Sequence, residues 1–308
     1  MRVVVAGGTG FIGEALVAYI AGQKHEVCVL TRRANAPSTN TASIRYERWD
    51  GVSTGQWVRA VAECDALINL SGENLGEGSW TDERKKRILE SRVQTATMLV
   101  EALQQAQRKE RVLLQASAVG IYGHGDQEVN ENGKPGQGFL ADVCQAWEQP
   151  ARVLLGSDTR VVWMRSGVVL DRDGGVLPLM VMPFRFFVGG VVGTGRQWLS
   201  WIHLRDEVRA IAHLLSHPEL SGPINVTAPF PATMREFAQT VAKVLKRPAL
   251  VPVPSTIIKL ALGEQGREMV LSGVRAKPAA LLRSGFAFAF PKLLDALSQL
   301  YNRGNKKR

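Results

Sequence analysis

The sequence predicts an α/β protein built on a doubly wound parallel sheet of about seven strands. Three observations carry this. Val3-Val4-Val5 is a β-branched apolar run that ends directly in a glycine loop, and a helical pattern begins as soon as the loop ends. Gly7, Gly10 and Gly13 are spaced G-x-x-G-x-x-G in that loop. That spacing provides a tight turn, close backbone approach to a pyrophosphate at a helix N-terminus, and close packing of helix on strand. Finally, short apolar runs recur between helix-length stretches down the chain, as a sheet with crossover helices requires. The expected architecture is a Rossmann dinucleotide-binding sheet in a chain long enough for one large or two unequal domains.

Thr9, Phe11 and Ile12 fill the glycine loop and join Gly7, Gly10 and Gly13 as expected cofactor contacts. Apolar residues at Ala15, Leu16, Ala18, Tyr19 and Ile20 make 14–22 a helix, and Glu26 to Thr31 is the second strand. The end of that strand decides the cofactor. An NAD site places an acid there for the ribose 2′-OH, whereas a 2′-phosphate needs arginine. Here stand Thr31, Arg32 and Arg33, which predicts NADP(H), with Arg32 as the main phosphate ligand and Arg33 as a second candidate. Two arginines that merely end a strand at the surface are the alternative.

Ile44 to Trp49 reads as the third strand, ending at Asp50-Gly51, a turn where an adenine ring commonly rests. Asp65 to Leu70 is the fourth. Ligands lie outside the carboxyl ends of such strands, so Leu70, Ser71 and Gly72 should border the cofactor, with Glu73 and Asn74 toward the substrate. A long helix follows, N-capped by Ser79 or Thr81, with Ile88, Val93, Ala96, Leu99, Val100 and Leu103 along one face. Arg92 lies near that face, either as a surface charge with its stem on apolar neighbours or as a polar contact to the cofactor.

Arg111 to Ser117 is the fifth strand, running on to Tyr122-Gly123 and a polar loop that reaches Pro135. Phe139 to Leu155 reads as helical, and Thr159 to Leu170 begins as the sixth strand. Residues 176–193 are very apolar, but Pro178, Pro183 and Arg185 interrupt them, so they read as a loop and short helix lining a pocket and not as a membrane span. Leu199 to His203, a helix from Arg205 and a seventh strand at Pro223 to Thr227 return to the core. Next come a helix over Met234 to Lys246, an edge strand at Leu250 to Val253 beside Pro252 and Pro254, a helix over Ser255 to Leu262 and a last helix near Lys292 to Tyr301. The expected division gives 1–175 with 199–228 to the cofactor domain and 176–198 with 229–302 to the substrate domain. A basic tail at 303–308 is expected to be disordered.

The net charge of the 308 residues is +10, of which Arg303, Lys306, Lys307 and Arg308 hold four, leaving +6 on the body. That excess reads as modest and scattered, and no nucleic-acid-binding signature accompanies it. Cys28, Cys64 and Cys144 form no CxxC pair, so they read as small buried hydrophobes in a reducing cytosol, with no metal site. A strand that starts at Val3 leaves no room for a signal peptide, and no run is long enough to span a bilayer. The expectation is a cytoplasmic monomer or homodimer acting on a small molecule, with neither nucleic acid nor membrane as partner.

Several segments then align with a known family. GGTGFIG (7–13), DALINLSGEN (65–74), SAVGIYG (117–123), RSGVVL (165–170), the stretch from Pro183 to His203, WIHLRDEV (201–208) and the stretch from Phe237 to Pro254 resemble atypical extended short-chain dehydrogenase/reductases. More narrowly they resemble the "epimerase family" group akin to nucleotide-sugar epimerases. The resemblance implies a seven-stranded Rossmann domain, a smaller C-terminal substrate domain and NADP(H). It also implies cofactor contacts at Thr31, Arg32, Leu70, Ser71, Arg92 and Val169. The family's Tyr-x-x-x-Lys dyad is missing: the corresponding helix, GFLADVCQAWE from Gly138, has Phe139 and Val143. The nearby tyrosine, Tyr122, is followed four residues on by Asp126, whose charge would raise its pKa. Ser117 stands five residues before Tyr122, where extended members show four. Ser117 and Tyr122 are the expected acid/base groups, with Glu73 and His203 as alternatives, although His203 also reads as a satisfied histidine at a strand end. Three functional classes follow: an NADP-dependent oxidoreductase or epimerase with unconventional acid/base groups, an NADP(H)-sensing regulator without chemistry, or, least favoured and motivated by the basic tail, a nucleic-acid or surface-binding protein.

Overall fold

The computed structural model describes residues 1–32, 43–105 and 110–302. Arg33 and the 303–308 tail lie outside the described residues. Seven strands form one sheet: β1 (Arg2–Ala6), β2 (Glu26–Thr31), β3 (Ile44–Arg48), β4 (Ala66–Asn69), β5 (Arg111–Ala118), β6 (Thr159–Ser166) and β7 (Gly222–Val226). Their order is β3-β2-β1-β4-β5-β6-β7, and every neighbouring pair is parallel. The winding reverses between β1 and β4, which places the glycine loop after β1 at the switch point where such sheets bind ligands.

Both faces of a parallel sheet must be covered, and strand alternation divides the apolar residues between them. Val3, Val5, Val29 and Ile68 pack against Leu16 and Ile20 of α1 (Phe11–Gly22). Val4, Ala6, Leu30 and Leu67 face the other way, against Leu99 and Leu103 of α2 (Asp82–Gln105). The Arg84 amide donates to Thr81 Oγ1 at 3.2 Å, so Thr81 and not Ser79 caps α2. The further helices used below are α3 (Phe139–Glu148), α4 (Leu204–Ser216), α5 (Met234–Leu245) and α6 (Leu293–Asn302). A third core joins Leu177, Val181 and Phe184 to Phe237 and Val241 of α5 and Leu297 of α6. Asp206, fully buried in the first turn of α4, ties the C-terminal chain back to the sheet by accepting the Ala289 and Phe290 amides at 2.9 and 2.8 Å.

Several local expectations are corrected. The sixth strand stops at Ser166, because the Gly167 backbone lies against Ser200, where a Cβ would stand 2.6 Å from the Ser200 oxygen. Val168–Leu170 then pairs with Trp201–His203 outside the main sheet. Helix α3 ends at Glu148, and residues Pro150–Leu154 tighten into a 3₁₀ turn, since proline has no N–H to continue the ladder. The polar loop after Tyr122 contains a strand, Gly125–Val129, paired with Val274–Ala276. The edge strand expected at 250–253 is a single bridge, Val192 to Val253. The helix from Ser255 continues to Gly266 across a break at Gly263. All three cysteines are buried. Among the described residues no helix is long and apolar enough to cross a membrane.

Candidate functional site

The site begins at the glycine turn, where three glycines meet three different surroundings. Gly7 takes φ +78°, and a Cβ there would lie 2.8 Å from the Leu70 carbonyl carbon, so the turn is pressed against the end of β4. A Cβ on Gly13 would strike the Gly7 carbonyl, which assigns helix packing to Gly13. Gly10 is exposed and caps α1 without a side-chain bond, and a Cβ there would meet only the Gly7 oxygen, at 3.3 Å. The space in front of Gly10 therefore stays open before helix N–H groups that lack intrahelical acceptors. Thr9, Phe11 and Ile12 are half-buried around it. Gly174 and Gly175 cover the Phe11 ring, and a Cβ on Gly175 would be 3.2 Å from the Val169 oxygen. Val169 is thus brought near the start of α1.

At the adjoining strand ends, Thr31 is buried and Arg32, directly after it, is exposed. The Trp49 amide donates to the Thr31 oxygen at 3.1 Å, which seats the Asp50-Gly51 turn beside β2. The Ser53 hydroxyl and the Val52 and Ser53 amides hold the Asp50 carboxyl down to about 2. At the end of β4, the Ser71 amide donates to Asn69 Oδ1 at 3.0 Å, and the Ser71 hydroxyl is buried with no partner. An unpaired buried hydroxyl next to an open anion cradle is what a bound polar ligand would satisfy.

Arg92 is 7% exposed, which rules out a surface charge. Its Nη1 and Nη2 donate to the Ile88 and Glu73 oxygens, both at 3.0 Å, and its guanidinium lies 4.9 Å from the Trp147 ring centre. Gly72 packs on this guanidinium, 3.0 Å from its Cβ position. Arg92 therefore shapes the Gly72-Glu73 backbone from beneath. The Glu73 carboxylate pairs with Arg84 and lies 3.7 Å from Arg87 Nε, which commits it to anchoring this loop on α2.

Ser117 and Tyr122 are brought into one buried network. The Ser117 hydroxyl donates to Glu148 Oε1 at 2.8 Å, and Glu148 holds Arg165 through two bonds of 2.9 Å. Arg165 Nη1 donates to the Tyr122 hydroxyl at 3.0 Å, and that hydroxyl donates to Asn225 Oδ1 at 2.7 Å. Register explains the assembly: Ser117, Arg165 and Asn225 lie side by side on β5, β6 and β7, so their side chains share one face. One residue further on, Ser166 points to the opposite face and donates to Glu207 of α4 at 2.7 Å. The position four before Tyr122 is Ala118.

Burial raises the Tyr122 pKa above its ordinary value, and the Arg165 hydrogen bond only partly opposes this. The rise comes from desolvation and, among charges, from Glu131; Asp126 is not its source. Burial works against the Arg165 charge, yet Glu148 and Tyr122 hold its pKa above the usual arginine value. His203 sits elsewhere. Its Nδ1 accepts the Arg205 amide at 3.0 Å and its Nε2 meets Gln299 at 2.9 Å, so it caps α4 as a satisfied histidine, with its pKa lowered by burial. Burial pushes the Cys144 thiol up to about 12 and Cys28 to about 11, so neither is a thiolate at neutral pH. Among the described residues no cluster of His, Cys, Asp and Glu could hold a metal ion.

The sequence reading missed Glu148, Arg165, Asn225 and Glu207. A signal was present for Arg165 and Asn225, since each stands in a mainly apolar strand, VVWMRS and PINV, and a buried charge or amide demands a partner.

The model of the NAD dependent epimerase/dehydratase family matches residues 3–139, and that of a domain of unknown function, DUF1731, matches 253–300. Epimerase family protein YfhF of Bacillus subtilis is 38% identical over 304 residues, covering 97% of this chain and 98% of YfhF. Epimerase family protein ML0860 of Mycobacterium leprae is 39% identical over 302 residues, covering 98% and 96%. The crystal structure of human epimerase family protein SDR39U1 (isoform 2) with NADPH superposes with a TM-score of 0.86 at 34% identity, covering 98% of this chain and 99% of that one. The chain therefore belongs to the NAD-dependent epimerase/dehydratase family of extended short-chain dehydrogenase/reductases, among the SDR39U1-like epimerase family proteins.

Proposed function

We propose that the protein binds NADP(H) and acts as an oxidoreductase or epimerase on a small molecule, moving protons without a tyrosine–lysine dyad. The observation that carries the cofactor reading is the open space at Gly10 flanked by the partnerless Ser71 hydroxyl and the exposed Arg32. The human relative solved with NADPH supports it. Gly7, Thr9, Gly10, Phe11, Ile12 and Gly13 would hold the pyrophosphate. Arg32, with Thr31 behind it, would hold the 2′-phosphate. Leu70, Ser71, Gly72 and Val169 would border the rest, and Arg92 would keep the β4 loop in shape. When bound, the cofactor supplies or accepts a hydride.

Proton transfer is the slow part in this reading. Ser117 and Tyr122 are this chain's hydroxyls at the carboxyl end of β5, and both already donate to buried partners. Tyr122 stays neutral at neutral pH, because its pKa lies above the ordinary value of about 10. Removal of a substrate proton by Tyr122 is therefore feeble near pH 7 and gains as pH rises. The test is NADPH absorbance against a panel of sugar nucleotides and simple carbonyl compounds across pH. Slow turnover that rises with pH and vanishes in Tyr122→Phe supports the reading. Fast turnover at neutral pH that survives Tyr122→Phe and Ser117→Ala overturns the assignment of the acid/base role to these two hydroxyls. Tight NADPH binding with no turnover on any compound favours an NADP(H)-responsive regulator.

A further inference from the structure

Helix 177–185 is apolar on both sides. Leu177, Val181 and Phe184 are buried in the third core, while Leu179 and Met182 face outward at 62% and 49% exposure. The chain then runs straight into Phe186, Phe187 and Val188, exposed at 71%, 55% and 53%. A helix that is apolar all round normally lies wholly within protein or lipid. Beside this tip stands Leu250, 80% exposed, because the two segments run together. The Val251 amide donates to the Gly189 oxygen at 3.2 Å, and Gly190 lies against the Val251 backbone.

The two segments that form this tip carry charge of one sign, while Asp171 and Asp173 stand behind it, where they and Arg185 all act on the Tyr301 hydroxyl. Residues 174–205 and 237–263 contain seven Lys and Arg and no Asp or Glu. The charge excess that looks scattered in the linear sequence is thus concentrated in the two segments that meet here. Arg185, Lys246 and Arg247 are all exposed next to the apolar tip, and the Arg247 guanidinium lies 4.1 Å from the Phe187 ring centre.

We propose that this tip is a contact face for an anionic bilayer surface. Phe186, Phe187, Val188 and Leu250 enter the acyl boundary, while Arg185, Lys246 and Arg247 reach the headgroup phosphates. Exposed apolar residues ringed by cations complement a leaflet that is negative at its surface and fluid beneath, and protruding side chains need no preformed pocket there. A second copy of this chain would set the same positive collar against itself. Adsorption of this kind requires no spanning helix, so it revises only the expectation that no membrane is a partner.

The test is co-sedimentation of the full chain with vesicles of phosphatidylglycerol in phosphatidylcholine, alongside phosphatidylcholine alone, at low and high salt. The expected result is binding to the anionic vesicles only, weakened by salt. Each basic residue near the surface is worth about fivefold in partitioning. Lys246→Glu with Arg247→Glu should therefore weaken binding by more than about tenfold. Phe186→Glu with Leu250→Glu should abolish it. These side chains are mostly in water, so the variants keep the fold, which unchanged thermal melting would show. No binding to anionic vesicles overturns the proposal. So does binding that survives Phe186→Glu with Leu250→Glu, or a concentration-dependent dimer in light scattering that those substitutions dissolve.

Discussion

Glu148 and Arg165 meet through two parallel hydrogen bonds, Nε to Oε1 and Nη2 to Oε2, with both side chains buried beneath the carboxyl end of the sheet. Cutting one side of such a pair leaves an uncompensated charge in the interior. Glu148→Ala should therefore cost about 3–5 kcal/mol, while Ser117→Ala, which removes one neutral donor, should cost about 1 kcal/mol. Urea unfolding of the two variants decides this, and equal costs would mean that the pair is not what holds the network.

The two glycines at 10 and 13 should separate ligand binding from folding. Gly10→Val brings a Cβ to 3.3 Å from the Gly7 oxygen, a tight contact but no clash, so melting should fall far less than in Gly13→Val while NADPH affinity falls sharply. Gly13→Val drives a side chain into the Gly7 carbonyl and should destabilise the fold itself. A fluorescence titration in which Gly10→Val retains full NADPH affinity would remove the cofactor from this turn.

Arg32 should set the choice between cofactors. A charge-assisted contact with the 2′-phosphate, worth roughly 1.5–3 kcal/mol, makes NADPH bind tenfold or more tighter than NADH. In Arg32→Ala that preference should largely disappear. Calorimetry with both nucleotides checks it, and an unchanged preference would point to another residue.

Glu207 should make stability depend on pH. Burial raises its carboxyl from an ordinary 4.5 to about 8, so the folded chain holds a proton that the unfolded chain has lost across that interval. Folding there takes up a proton, and stability falls as pH climbs from about 4.5 to about 8 before levelling. Glu207→Gln keeps the neutral form, so its melting temperature should gain on the wild type as pH rises through that window. A constant difference between the two would show that Glu207 is ionised in the folded protein.

The sheet was legible because its signals are local. Each buried strand is a short apolar run, and the glycine turn shows where the winding reverses. The network around Tyr122 was not legible, since it depends on the lateral register of Ser117, Arg165 and Asn225 across three strands. A one-residue slip in any of them would send that side chain to the opposite face. The pairing of 125–129 with 274–276 was hidden for the same reason: its two halves are distant in sequence, and each is too short to declare itself.

The clasp between Asp206 and the amides of Ala289 and Phe290 joins positions separated by 83 and 84 residues. A contact of that span closes late, because the loop entropy is lost before the bonds are gained. Until residue 290 arrives, the Asp206 carboxylate at the start of α4 has Arg209 one turn on, at 2.8 Å, but lacks its two backbone donors, so the helix under the sheet is only partly tied down. A nascent or truncated chain ending before that point should populate an intermediate with α4 loosely docked. Refolding of the intact chain should then show a slow final phase in which the last segment locks the first-formed sheet.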